Sequence, residues 1–256
     1  MKHILACILI IALLGSAWGL PVRAQEAAVI CLDPGHGGTN PGAVYEFADG
    51  KLLKEADINL DVALALKTLL EQSGQRVIMM TRTDNRSNPT TRERYLVANN
   101  AKATLLVSIH TNSIVPEIAA EIDGTCTLYM KEADKPLAAI LESNVYSALL
   151  TTAPDSTIFL DRGERRFFSR IMSRTTMPAV IVEPVFMSLP GEATKLASPI
   201  QRDSAGHILA NTRRAEIAYA LHSGILSYLD AQAQAANNDK SDVYYPLYLL
   251  PRGVRS

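Results

Sequence analysis

The sequence has no surplus of charge of either sign: 25 lysines and arginines stand against 26 aspartates and glutamates, a formal net charge of -1. A general nucleic-acid binder gathers a basic excess on one face or arm, so that class is excluded. Also missing is an apolar run long enough to serve as a permanent bilayer anchor, which needs about 20 apolar residues. The run from Ile4 to Leu14 falls short of that. Nothing in the composition points to disorder or to repeats. Cysteine is scarce, with three in the chain. Cys31 and Cys126 lie in the strand-like segments VICLD and GTCTLYM, where a cysteine behaves as a small buried hydrophobe. Both are read as structural, and a disulfide between them depends on a Cα separation that only a fold supplies.

What is present is a chain of 256 residues, 48% hydrophobic, enough to bury a sizeable core in one domain. The first segment combines Lys2 and His3, the short apolar run, and small residues before Ala24. It reads as a secretory signal over 1–24, cleaved after Ala24, so the protein is expected to be exported to the periplasm or cell envelope. Cys7 lies inside the apolar run, which argues against a lipoprotein signal. The catalytic domain is then expected over 25–230 and a linker-like C-terminal tail, polar and then aromatic and broken by prolines, over 231–256.

Short β-rich runs alternate with longer helical patterns: AAVICLD, a helix over Glu55 to Ser73, RVIMMTR, a helix over Thr91 to Lys102, then TLLVSIH. That alternation predicts a single α/β domain with a mostly parallel or mixed twisted sheet and helices on both faces. Ile58, Val62, Leu66 and Leu69 follow the helical period, and Thr90 with Glu93 forms a capping-box pattern. Further on the sequence predicts a strand from Gly124 to Met130, a helix over Lys135 to Leu150, and a polar loop from Asp155 to Arg166. A strand over Ala179 to Glu183 and a last helix over Gly206 to Leu229 complete the pattern.

Candidate chemistry gathers at strand ends. His36 sits among turn formers in CLDPGHGGTNPG, just after an apolar strand, and His110 ends the run TLLVSI. Open α/β sheets place their sites at these carboxyl ends. A histidine in a solvated turn and a buried, hydrogen-bonded histidine are the plain alternatives. Glu55 opens the helix that follows the His36 loop and returns to the same edge, although a carboxylate there also complements the helix dipole. Two imidazoles and one carboxylate with a fourth position open to water make the ligand set of a hydrolytic zinc site. Glu183, at the end of AVIVE, is placed to act as the proton acceptor such a site needs. Arg162, Arg165, Arg166 and Arg170, with Phe167 and Phe168 between them, form a basic run. It is either a solvated face or a surface for carboxylates. His207 and His222 are read as surface or satisfied histidines.

These segments resemble the zinc-dependent N-acetylmuramoyl-L-alanine amidases of the type-3 amidase family, over about Val29 to Leu229. VICLDPGHGGTNPGA carries the first histidine block and KEADINLDVALAL the glutamate block. Thr81 and Arg82 with RYLVANNAKATLLVSIHTN carry the second histidine, and MPAVIVEPVFMS the terminal glutamate. The resemblance implies zinc held by His36, Glu55 and His110, with Glu183 catalytic and Asn112 and Arg162 on the substrate side. It further implies hydrolysis of the peptidoglycan amide between N-acetylmuramic acid and L-alanine of the stem peptide, with any activator or septal partner undefined. Where the family reads Glu-x-Gly-Phe-x-Ser-Asn, this chain has Val185 and Leu189 in place of Gly and Asn. Val tolerates positive φ poorly, so the backbone beside Glu183 is expected to turn differently. That departure motivates a second reading, a catalytically weak wall-binding scaffold or activator; a third is a zinc peptidase or deacylase acting on another amide.

Overall fold

Continuous apolar runs build the centre of the molecule. Strands β1 (Val29–Pro34), β5 (Leu105–Ile109) and β8 (Ala179–Glu183) are buried almost throughout, as parallel strands covered on both faces are. The computed structural model describes residues 28–74, 77–114, 122–154 and 158–241. The expected signal segment and the end of the tail lie outside the described residues. With β4 (Val77–Met80), β6 (Ile122–Tyr129) and β7 (Ile158–Arg166), these strands form a six-stranded sheet in the order β4-β1-β5-β8-β6-β7. Every pairing is parallel except β6 with β8, so the sheet is mixed.

Helices cover both faces, as the alternating pattern predicts. Helices α1 (Glu55–Gln72), α3 (Lys135–Leu150) and α6 (Arg213–Ser241) pack on one side. There Leu66, Leu141 and Leu221 meet Ile30, Leu32, Val107 and Val182 in one core cluster. On the other side α2 (Thr91–Asn100) and α4 (Arg170–Arg174) cover Cys31, Leu106 and Ile181 with Ala98, Ile171 and Met172. The period-2 alternation of strand side chains assigns Ile30 and Leu32 to one core and Cys31 to the other. Thr90 and Glu93 make the predicted capping box of α2. Cys31 and Cys126 are buried free thiols, which burial pushes up to about 12 and about 11 respectively.

Three expectations are corrected. The segment read as a polar loop up to Arg166 is, from Ile158, the edge strand β7. Its DRG turn is a bulge, with a register shift opposite Cys126 and Gly163 at φ 72°, and this interrupts the alternation by which strands are recognised. The last helix begins at Arg213 rather than Gly206, whose φ of 85° belongs to a turn. It also runs on to Ser241 through the stretch read as linker, because alanine and glutamine sustain a solvent-facing helix. A short hairpin of β2 (Val44–Glu46) and β3 (Leu52–Lys54) and the helix α5 (Pro190–Leu196) were not anticipated.

Candidate active site

The parallel strands β1, β5 and β8 end at one edge, and the sequence-predicted residues meet there. His36 follows β1, His110 follows β5, Glu183 ends β8, and Glu55 is the first residue of α1. Glu55 Oε2 lies 3.0 Å from His36 Nε2, and Oε1 lies 3.0 Å from His110 Nδ1. One donor atom from each of the three falls within 4.8 Å of the others. The imidazole rings meet edge-on, with centroids 4.9 Å apart.

Glycine makes this approach possible. A Cβ at Gly35 would land on the His110 ring, and one at Gly42, where φ is +68°, would land on the Glu55 carboxylate and the His36 ring. His36 itself is held at φ 60°, a conformation that a side-chain-bearing residue keeps only when its surroundings impose it. Two buried arginines impose it. Arg94 donates to the carbonyls of Pro34 and His36 and to Asp33 Oδ1, each at 2.8 Å. Arg82 donates to the carbonyls of Pro34, Gly35 and Ala56 at 2.8–2.9 Å. Asp33, 2% exposed, also accepts from Thr81 and Ser108. Burial alone would raise the Asp33 pKa, but the Arg94 charge and these hydrogen bonds hold it below the usual carboxylate value.

Outer partners orient the cluster. Asn40 Oδ1 lies 3.2 Å from His36 Nδ1, leaving Nε2 to face Glu55. Glu55 accepts from the Ala43 and Thr111 amides and from Asn59 Nδ2, and Asn59 is fixed in turn by Thr111. Burial disfavours the Glu55 charge, yet hydrogen bonds from His110 and His36 outweigh it and lower its pKa strongly. Burial works against protonating His110 as well, but the Glu55 hydrogen bond and the nearby Glu183 charge raise its pKa. Glu183 is in the opposite condition: burial pushes it up to about 7, and its Oε2 has no hydrogen-bond partner among the described residues.

The segment after Glu183 is well supported. Val185 is fully buried and is not among the residues with positive φ, in keeping with the poor tolerance of Val for that conformation. Leu189 packs with Phe186. Asn112 clamps the loop through its backbone, donating to Val185 O at 2.9 Å and accepting from Met187 N at 2.8 Å. The Phe186 amide donates to the buried Asp123 at 2.8 Å. The Arg162 guanidinium lies over the Phe186 ring, 4.7 Å from its centroid. The structure thus brings His36, Glu55 and His110 into one cluster with Glu183 nearby, and sets Asn112 and Arg162 around the Glu183 loop. His207 pairs with Asp203 and His222 with Ser73, apart from this cluster. The sequence alone gave no role to Asp33, Arg82, Arg94, Asn40 or Asn59; the one signal was that all five fall inside the resemblance blocks. A cleft of about 430 Å³ opens beside His36 and His110, floored by Ile181 and walled by Thr90, Arg94, Ser169 and Ile171.

A single α/β domain with an N,N,O donor set and an orphaned carboxyl at the carboxyl edge of its sheet is the equipment of a hydrolase. Residues 30–214 match the family model described as N-acetylmuramoyl-L-alanine amidase, and the chain belongs to that family. It is 28% identical to the germination-specific N-acetylmuramoyl-L-alanine amidase of Bacillus subtilis over 225 residues, 82% of each chain. Among solved structures, the catalytic domain of the amidase CwlV from Bacillus (Paenibacillus) polymyxa var. colistinus is 30% identical. It matches with a TM-score of 0.64, over 79% of this chain and 98% of that one. The CwlD amidase of Clostridioides difficile, solved in complex with the GerS lipoprotein, is 28% identical with a TM-score of 0.59, over 80% and 99%. The protein is an amidase of the peptidoglycan-hydrolase type, as the sequence blocks implied.

Proposed function

We propose that His36, Glu55 and His110 hold one zinc ion and that Glu183 is the acid–base residue that cleaves the amide between N-acetylmuramic acid and L-alanine. The observation that carries this reading is the convergence of the three donors beside a buried carboxyl oxygen that has no partner among the described residues. The donors fit zinc: two imidazole nitrogens and a carboxylate, each with an outer hydrogen bond or packing contact that fixes its direction. When bound there, zinc supplies Lewis acidity and lowers the pKa of a water to about 7.

The protein's own groups do the rest. Glu183, shifted towards neutrality by burial, accepts the proton of the attacking water and passes it to the alanine nitrogen. The lactyl carbonyl gains a hydroxyl as the C–N bond breaks. Asn40 and Arg94 hold the His36 loop, and Asn59 holds Glu55, so the donors meet with little rearrangement. Asn112 and Arg162 are assigned to substrate contacts, supported by the backbone hydrogen bonds of Asn112 to Val185 and Met187 and by the Arg162 guanidinium over Phe186.

Export to the cell envelope through the segment 1–24 belongs to the same reading, supported by the envelope location of the substrate. Among the described residues no helix is long and apolar enough to cross a membrane. An envelope-associated protein partner is also proposed, supported by the lipoprotein bound to the clostridial relative. Purified peptidoglycan digested with the mature chain should release peptides with a free N-terminal L-alanine, and a zinc chelator should stop the release. Intact peptides, or cleavage at another amide in mass spectra, would overturn the assignment.

A further inference from the structure

We propose that Arg165, Arg166 and Arg170, with Phe167 and Phe168 between them, form a docking rim for the carboxylate-bearing peptide arm of the substrate. This rests on the amidase reading and extends it to a surface of its own. The sheet register supplies the path. Ile181 floors the cleft beside His36 and His110. It pairs with Leu128 on β6, which pairs with Arg165 on β7. Paired residues share a face, so one rung of the sheet runs from the cleft floor to Arg165 at the edge. Two further observations agree. Cys126 pairs with Glu183 on β8, and the register shift opposite Cys126 holds Arg162 and Gly163, so Glu183 and the bulge that precedes Arg165 meet at one point of the sheet. Ser169 and Ile171, immediately after the two phenylalanines, wall the same cleft.

Distance fits a short peptide. Arg165 stands two residues down the strand direction and two strands across from Glu183. At about 3.4 Å per residue and about 4.8 Å per strand this is roughly 12 Å, the span of about three to four extended residues. A peptide leaving the scissile amide along the cleft therefore brings its carboxylates to the arginines.

Chemistry fits as well. Among the described residues, no carboxylate pairs with Arg165, Arg166 or Arg170. The hydrogen bond from Arg165 Nε goes to the Arg162 carbonyl at 3.0 Å. Glu164 is the opposing charge within the run Glu164 to Arg170, which keeps a net charge of +2 from three arginines and one glutamate. Phe167 and Phe168 are 52% and 72% exposed, which is unusual for phenylalanine. Guanidinium forks between flat apolar rings match a peptide that alternates carboxylates with alanine methyls.

The test uses the mature chain carrying Glu183→Gln, so that substrate is bound and not consumed, with sedimentation of insoluble peptidoglycan as the readout. The triple variant Arg165→Ala/Arg166→Ala/Arg170→Ala should weaken binding about tenfold, the product of three modest exposed charge contacts. Phe167→Ser/Phe168→Ser should weaken it too. Amidating the peptide carboxylates of the substrate should bring the native rim down to the triple variant's level. Equal binding by the triple variant would overturn the proposal, as would equal binding of glycan strands stripped of peptide. Stronger binding to phosphatidylglycerol vesicles that is lost in the Phe variant would assign the rim to a membrane instead. Release of L-alanine-terminated peptides by the chain with Glu183 intact is scored separately, so failure of the amidase reading is distinguishable from failure of the rim.

Discussion

Replacing Arg94 by methionine tests whether the His36 loop is held by a buried ion pair. Arg94 is 8% exposed and Asp33 2%, and three of its hydrogen bonds end on Asp33 and on the carbonyls of Pro34 and His36. Methionine fills much of the space but leaves the buried Asp33 carboxylate without its cation and the His36 carbonyl without the Arg94 donor, while Arg82 still serves Pro34. Breaking one partner of a buried pair costs about 3–5 kcal/mol, which at about 2–4 °C per kcal/mol for a domain of this size lowers Tm by roughly 6–20 °C. The sign of the pH dependence follows from Asp33. Its folded pKa is depressed, so its stabilising contribution is complete above the unfolded value of about 3.9 and is lost as pH falls through the lower folded value. The native chain therefore loses stability below about pH 4 that the variant never had, and the gap between them narrows. Urea unfolding of both chains at pH 7 and near pH 3 measures this. Zinc affinity should also fall about 10–100-fold, because the arginine fixes a ligand loop. A loss under about 1 kcal/mol, or a gap equal at both pH values, would refute the reasoning.

Glu183 sets a second pH dependence of opposite sense. Burial raises it to about 7, above the unfolded value of about 4.3, so the metal-free chain loses stability as pH rises through that window. Glu183→Gln should stabilise the metal-free chain at pH 8 by more than about 1 kcal/mol, and thermal melts showing no gain would contradict it. Gly42→Ala places a methyl on the Glu55 carboxylate and the His36 ring, at a positive φ as well. A competition titration with a chelator should show zinc affinity reduced about 100-fold or more, with circular dichroism unchanged. Asp123 is fully buried, pushed up to about 7 by burial and by the Glu192 charge, and accepts the Phe186 amide. Asp123→Ala should lower kcat with zinc still bound, since the orphaned amide costs about 1–3 kcal/mol, and Asp123→Asn should recover most of it. Equal kcat for the two variants would show that the carboxyl does not position the loop.

The residues legible in the sequence were those whose position is set by strand ends. His36, His110 and Glu183 each close an apolar run, and parallel strands bring such ends to one edge. Glu55 was legible mainly through its family block, because an acidic residue opening a helix has an ordinary explanation in the dipole. The supporting arginines were not legible: the buried contacts of Arg82 and Arg94 reach residues 26 to 61 positions away, and no local pattern announces a buried guanidinium. Strand β7 escaped because its bulge at the DRG turn breaks the period of two, and the end of α6 because polar helix formers in solvent look like a linker. Val185, which departs from the family pattern, does not take up positive φ and is buried in the core cluster.

The central claim is that one zinc ion on His36, Glu55 and His110 works with Glu183 on the muramoyl amide. Metal analysis of the mature chain and its Glu183→Gln variant, paired with mass spectrometry of peptidoglycan digests, tests it most directly. One zinc per chain is expected in both proteins, with peptides that begin with L-alanine released by the native chain alone. Near-native release by the variant with zinc still bound would contradict it, and so would release by a native chain stripped of metal.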